Sequence, residues 1–263
     1  MNRQAQAVVL LLLGGAVLKA SFTDLYLRYV KEGLRPFLIA AALVLIVAAV
    51  MTLWYDLRPA AANEPDGEPD HGHDHGPDHG HDHGPDHGHD HGTGGGHHEP
   101  RVGWLLILPV LGLLLIAPPA LGSYAAGQAG TALASQQVSD YPPLPEGDPV
   151  RITMLDYASR ALFDKGQSIG DRRVTLTGFV AGGGPGGEPI LARMILSCCA
   201  ADGRPIKLGM AGNAPAGLAE DTWIEVTGRY SDRVAKDPVN EADIPYVIVE
   251  SWREVPVPKQ QYE

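Results

Sequence analysis

The sequence is poor in the side chains that carry catalysis and metal binding, except in one short segment. Its 263 residues contain only two cysteines, and all 11 histidines lie between residues 71 and 98. Residues 101–263 therefore offer no histidine base for catalysis and no histidine ligand for a four-ligand zinc site. Because the phosphate-loop pattern is absent as well, the sequence does not predict an enzyme.

The histidines are concentrated in an eight-residue repeat, Asp-His-Gly-His-Asp-His-Gly-Pro, which starts at Asp70, Asp78 and Asp86. No hydrophobic residue lies between Asp66 and Pro100, so the segment 61–100 is predicted to be a disordered loop. Imidazole is the commonest side-chain metal ligand and suits zinc, copper and nickel. The candidate metal ligands of this segment are His71, His73, His75, His79, His81, His83, His87, His89, His91, His97 and His98.

A flexible tract of this kind has no preformed cavity. We expect it to bind several zinc, nickel, copper or cobalt ions weakly and exchangeably, and not one ion in a closed site. Affinity should fall as the pH drops through about 6.5, where histidines become protonated. The plainer alternative is a solvated low-complexity linker with no selected ligand. No organic cofactor is expected.

The charge of the chain is unevenly distributed. The formal net charge is −11, and residues 61–100 alone hold ten Asp or Glu and no Lys or Arg. Elsewhere the basic residues do not cluster, so no part of the chain is basic enough to predict a nucleic-acid partner.

The N-terminal part has the pattern of membrane spans. Two uncharged stretches, Phe37–Tyr55 and Val102–Ser123, approach or exceed the roughly 20 residues that cross a bilayer. A weaker stretch, Ala7–Leu18, fits either a retained helix or a signal peptide, and the retained helix is favoured because Leu18-Lys19-Ala20 is a poor cleavage site. The prediction is therefore two spans in residues 1–60, at about 4–23 and 37–55, and a third at 101–123.

Three spans would make this a multi-pass protein of the plasma membrane, with its termini on opposite sides. The positive-inside rule weakly favours an orientation with the histidine-rich loop outside and the C-terminal domain inside. The loop between the first two spans carries Lys19, Arg28, Lys31 and Arg35, against Arg3, Arg58 and Arg101 on the other side. Cleavage of the first stretch would reverse this assignment.

Residues 124–149 have a linker composition, and residues 150–263 are predicted to form a soluble domain. Thr153–Lys165 has the spacing of a short amphipathic helix. Two similar runs, Val174-Thr-Leu-Thr-Gly-Phe and Ile224-Glu-Val-Thr-Gly-Arg, alternate and then reach a glycine that permits a bend. Five strand-like runs in all predict a small OB-like barrel with one helix: Arg173–Val180, Ile190–Cys198, Pro205–Met210, Trp223–Tyr230 and Tyr246–Val255.

The only cysteines stand together in Ser197-Cys198-Cys199-Ala-Ala-Asp202. Adjacent strand residues point to opposite faces, so one interpretation is a core thiol beside a surface thiol. Two others stay open: Cys198 and Cys199 hold a soft metal with help from Asp202, or they form a redox-active pair. The missing histidine weakens the metal interpretation.

The order of spans, histidine-rich loop, further span and β domain, with the run Leu191–Asp202, resembles the YcgQ-like family of permease subunits. The resemblance implies a polytopic permease as membrane partner and no established substrate. It marks Cys198, Cys199 and Asp202 as motif positions without a role. The loop built from this regular octad is expanded relative to the typical loop of the family.

Two functions follow as hypotheses. In the first, the chain is an accessory, metal-binding subunit of a membrane permease system that concentrates or senses a transition metal such as zinc. In the second, it is a membrane-anchored OB-like interaction or thiol-redox module of a permease for another solute, and the histidines only buffer.

Overall fold

The structure is a computed structural model that describes residues 3–57, 119–132 and 141–263, together with the isolated positions 108, 111, 112, 115 and 116. The predicted histidine-rich loop lies outside the described residues, as does most of the predicted third span. Both therefore stay predictions.

Two long apolar helices form the N-terminal part, α1 at Arg3–Phe22 and α2 at Arg35–Leu57. Both are long and apolar enough to cross a membrane, by length and composition. Only 22% and 11% of their most apolar windows are buried, unlike the core helix of a soluble protein. The two helices pack along each other where Gly14 lies against Ala42 and Ile46. A connector, residues 23–34, joins them through two short 3-10 turns.

The C-terminal part is a β-barrel. The strands of the described residues are β1 at Val150–Arg151, β2 at Val174–Ala181, β3 at Ile190–Ile195, β4 at Arg204–Gly212, β5 at Trp223–Lys236 and β6 at Asp243–Glu254. Strands β2 to β6 close in the order β2-β3-β4-β6-β5, and β5 pairs back to β2. Strands β4 and β6 run parallel, and the other neighbours in the ring are antiparallel. This is a five-stranded OB-like barrel, as predicted.

Two glycines let strands approach closely at the bends of the barrel. A Cβ at Gly178 would lie 2.6 Å from the Ala192 carbonyl oxygen of β3. At Gly228 a Cβ would collide with the Ile248 carbonyl oxygen of β6, and the β5–β6 register shifts between Thr227 and Gly228. The glycine that ends each alternating run is therefore needed by the fold.

One helix, α4 at Met154–Phe163, packs against the barrel and completes its core. Its apolar side enters the core through Met154, Tyr157, Ala158 and Ala161. The hydroxyl of Thr153 accepts a hydrogen bond from the Asp156 N–H at 3.0 Å and caps the helix start. The amphipathic pattern that predicted this helix is confirmed.

The outer face of β2 and β3 is also apolar, and the chain covers it with its own residues. A short helix, α3 at Ser123–Gln128, lies on this face. The Asp221 carboxylate holds α3, accepting from the Ser123 N–H at 2.6 Å and from its hydroxyl at 2.8 Å. This second buried cluster consists of Ala126, Phe179, Ala181, Ile190, Ala192, Met194, Leu196, Trp223 and Tyr262.

Candidate functional site

The candidate site is the turn between β3 and β4, which carries both cysteines. One ligand atom from each of Cys198, Cys199 and Asp202 lies within 4.8 Å of the other two. Cys198 is exposed, whereas Cys199 and Asp202 are half-buried. Two sulfur atoms and a carboxylate oxygen at this spacing form a potential site for a soft or borderline cation.

The Asp202 carboxylate organises the turn. It accepts hydrogen bonds from three successive backbone N–H groups, those of Ser197 at 3.0 Å, Cys198 at 2.8 Å and Cys199 at 3.4 Å. Residues Ala200–Asp202 form a 3-10 turn that brings this carboxylate back over the preceding backbone. The two cysteines and the acid are thus gathered by local hydrogen bonds, without a disulfide.

The groups of the site influence one another's protonation. The hydrogen bond to Asp202, followed by that to Cys199, raises the pKa of the Cys198 thiol from 9.0 to about 11. The same thiol hydrogen bond, with the backbone N–H groups, lowers the pKa of Asp202. Without an ion, Cys198 is therefore a protonated thiol at neutral pH and a poor nucleophile.

Replacing Asp202 by Asn should make the Cys198 thiol more reactive. In a Cys199→Ser background, we expect Asp202→Asn to speed alkylation by iodoacetamide at pH 8 by up to about tenfold. Lowering the pKa raises the thiolate fraction, while the falling nucleophilicity of a less basic thiolate cancels part of the gain. The measurement is the alkylation rate by mass spectrometry between pH 7 and 11, with Glu32→Gln as a control carboxylate. A slower or unchanged rate would contradict the assigned hydrogen bond.

The cysteine turn is joined to the connector between α1 and α2. The Lys31 N–H donates to the Cys198 carbonyl at 3.1 Å, and the Ala200 N–H donates to the Tyr29 carbonyl at 2.7 Å. Val30 and Cys199 form an antiparallel bridge between these bonds. The candidate site therefore lies at the contact between the barrel and the apolar helices.

A second contact lies close by, at Tyr262. Its hydroxyl donates to the Arg28 carbonyl at 2.8 Å and accepts from the Leu121 N–H at 2.9 Å. Tyr262 also forms a parallel bridge with Met194 of β3. One residue thus links the connector, the segment before α3 and the barrel, through its hydroxyl and its backbone.

The structure brings together Cys198, Cys199 and Asp202, as the metal hypothesis requires. The eleven histidines all lie outside the described residues. Sequence reasoning missed the connector residues Tyr29–Lys31 and the role of Tyr262. Their contacts join positions more than 60 residues apart, and no sequence pattern marks them.

Sequence reasoning also overlooked one motif. Residues Gly166–Gly170 have the form Gly-x-Ser-x-Gly, which marks a nucleophile elbow when it stands between a strand and a helix. Here it follows α4 in a turn, where the Ser168 N–H donates to the Asp164 carboxylate at 3.0 Å. Among the residues that the structure describes, no histidine lies beside this serine to act as the base of a catalytic triad.

The fold and the site define an OB-like barrel attached to a pair of apolar helices, with a thiol-rich turn at the junction. Residues 150–263 match the family described as the DUF1980 C-terminal domain. This match is consistent with the resemblance to the YcgQ-like family, and it covers the barrel and α4 but not α1, α2 or α3. No curated protein and no solved structure matches the chain.

Proposed function

We propose that the chain is an accessory, metal-binding subunit of a membrane permease system that concentrates or senses a transition metal such as zinc. The observation that carries the proposal is the gathering of Cys198, Cys199 and Asp202 within 4.8 Å. The concentration of all 11 histidines in one acidic segment supports it. The permease partner rests on the resemblance to the YcgQ-like family.

The geometry favours an exchangeable ion. In a tetrahedral zinc site, bond lengths of about 2.0–2.3 Å put ligand atoms about 3.5–3.8 Å apart, so the widest spacing here must shrink by roughly 1 Å. Three protein ligands leave a fourth position open, and Cys198 is exposed to solvent. A site with an open position exchanges its ion more readily than a closed four-ligand site.

The contacts of the connector support a membrane arrangement. Because the connector pairs with the cysteine turn, the barrel and the α1–α2 connector lie on one side of any bilayer that both helices cross. The far end of α2 then emerges on the opposite side. We propose a multi-pass arrangement in which residues 61–100 face that opposite side, so that the histidines and the cysteines meet ions on different sides.

A thiol-redox role has less support. A redox-active thiol needs a substantial thiolate fraction. With a pKa of about 11, Cys198 is almost entirely protonated at neutral pH. A metal ion, in contrast, displaces the thiol proton and offsets the repulsion between the negatively charged thiolate and carboxylate.

Cobalt binding tests the metal site directly, because thiolate ligation gives Co²⁺ a charge-transfer absorption that imidazole does not. Full-length protein in detergent should develop this absorption on Co²⁺ addition and lose it when excess Zn²⁺ is added. The Cys198→Ser/Cys199→Ser variant should show none of it, whereas Ser197→Ala, a neighbouring substitution, should behave as wild type.

A cellular measurement then separates the two function classes. Cells whose own gene carries Cys198→Ser/Cys199→Ser should accumulate a different amount of zinc from cells with Ser197→Ala. Equal accumulation, with the absorption present in the purified wild type, would favour a permease for another solute.

A further inference from the structure

The cysteine turn is both the candidate metal site and the part of the barrel that holds the connector. The two backbone hydrogen bonds to the connector use the Cys198 carbonyl and the Ala200 N–H. These groups flank the Cys199 residue that would ligate the ion. The backbone that an ion would draw together is therefore the backbone that pairs with the connector.

The ligand atoms of the turn already lie within 4.8 Å of one another, so the widest spacing is at most about 1 Å greater than in a tetrahedral zinc site. Binding of an ion draws the two sulfur atoms and the Asp202 carboxylate closer together around one centre. An ion then cross-links three residues of one short turn and removes most of its conformational freedom. A partner that binds the ordered turn afterwards loses less entropy, so the two events help each other.

The connector has three further contacts with the C-terminal residues of the chain. It is fixed at Arg28 by the Tyr262 hydroxyl at 2.8 Å, and Glu32 accepts from the Gln260 side chain at 3.2 Å. Asp24 pairs with Lys259 at 3.5 Å on the exposed surface. Changes at the cysteine turn thus act on a connector that has other contacts with the barrel, and through the connector on the end of α1 and the start of α2.

We propose that a thiophilic metal ion bound by Cys198, Cys199 and Asp202 tightens the pairing of this turn with the connector. Occupancy of the barrel site is thereby transmitted to the two apolar helices. This inference rests on the proposed metal-binding function. It assigns to the ion a regulatory effect on the junction, in addition to its place as cargo or signal.

Amide hydrogen exchange on the wild-type full chain tests the proposal without any change to the junction. Addition of saturating Zn²⁺ should slow exchange at the Lys31 and Ala200 amides by at least about fivefold, the lower end of typical coupling between two sites. The Cys198→Ser/Cys199→Ser variant, which keeps the histidines, should show no slowing. This control separates the barrel site from zinc bound by residues 71–98.

The reciprocal test changes the connector and leaves the ligands intact. Lys31 has φ −61°, which suits proline, so Lys31→Pro removes the N–H that bonds to Cys198 with little backbone strain. By reciprocity it should weaken Co²⁺ binding at the thiolates by about 2- to 10-fold, the loss of one backbone hydrogen bond. Lys31→Ala keeps the N–H and should bind as wild type.

The outcomes are distinct. Unchanged or faster exchange at Lys31 and Ala200, with cobalt–thiolate absorption present, overturns the coupling and leaves the proposed function standing. Equal Co²⁺ affinity in Lys31→Pro and Lys31→Ala does the same. Absence of cobalt–thiolate absorption in the wild type overturns both proposals.

Discussion

Purified full-length protein in a detergent micelle is expected to take up about four to six zinc ions at neutral pH. About three to five of them belong to the histidine segment, where each ion uses two to four imidazoles, and one belongs to the cysteine turn. Serine at all eleven histidine positions should remove all but the ion held by the cysteine turn. Because binding requires neutral imidazole, uptake should also fall as the pH drops through about 6.5. Equilibrium dialysis with metal analysis measures the number of ions directly.

The serine variant is a matched control for the segment as a whole. It keeps the length, the glycines and all ten acidic residues of 61–100, so any zinc attracted by negative charge alone remains. Equal uptake by the wild type and the serine variant would remove the metal-concentrating part of the proposed function. The cobalt–thiolate absorption of the barrel should be the same in both proteins.

A second large effect is expected at the buried ion pair of the barrel. Lys207 Nζ lies 2.9 Å from an Asp237 carboxylate oxygen, and the two side chains are only 1% and 0% exposed. The same carboxylate accepts from the Thr131 N–H at 2.7 Å and the Val239 N–H at 2.9 Å. Lys207→Met would leave Asp237 as a buried, uncompensated charge, which costs about 3–5 kcal/mol of unfolding free energy.

Urea unfolding of the full chain in detergent, followed by tryptophan fluorescence, measures this loss. Lys236→Met is the matched control, because it breaks an exposed lysine–aspartate pair with Asp243 that is 62% and 48% exposed. An exposed pair of this kind contributes at most about 1 kcal/mol. Equal unfolding free energies for the two variants would contradict the predicted contribution of Lys207 to stability.

The barrel could be predicted because its strands carry local signals. The alternation of apolar and polar residues in Val174–Phe179 and Ile224–Arg229 is typical of strands, and the glycines Gly178 and Gly228 mark the bends. The helical spacing of its apolar residues predicted α4, and the Thr153 hydroxyl caps the start of this helix. Each of these signals spans fewer than ten residues, so the sequence alone displays it.

The residues of the candidate site could be predicted from the sequence, but their contact with the connector could not. Cys198, Cys199 and Asp202 lie within five residues, so a single turn brings them together. The pairing of Cys199 with Val30 joins residues 169 apart, and it depends on how the barrel packs on the connector. Tyr262 likewise has no neighbour in sequence that indicates its two hydrogen-bond partners, Arg28 and Leu121.

The apolar exterior of β2 and β3 has a practical consequence for where the folding unit begins. The family match starts at residue 150, but α3 and the residues just before it shield Phe179, Met194 and Trp223. A recombinant fragment that starts at residue 150 would expose this apolar patch to water. It would also lose the hydrogen bond that the Thr131 N–H donates to the Asp237 carboxylate. We therefore expect a stable fragment of the barrel to begin near residue 119, upstream of the start of the family match.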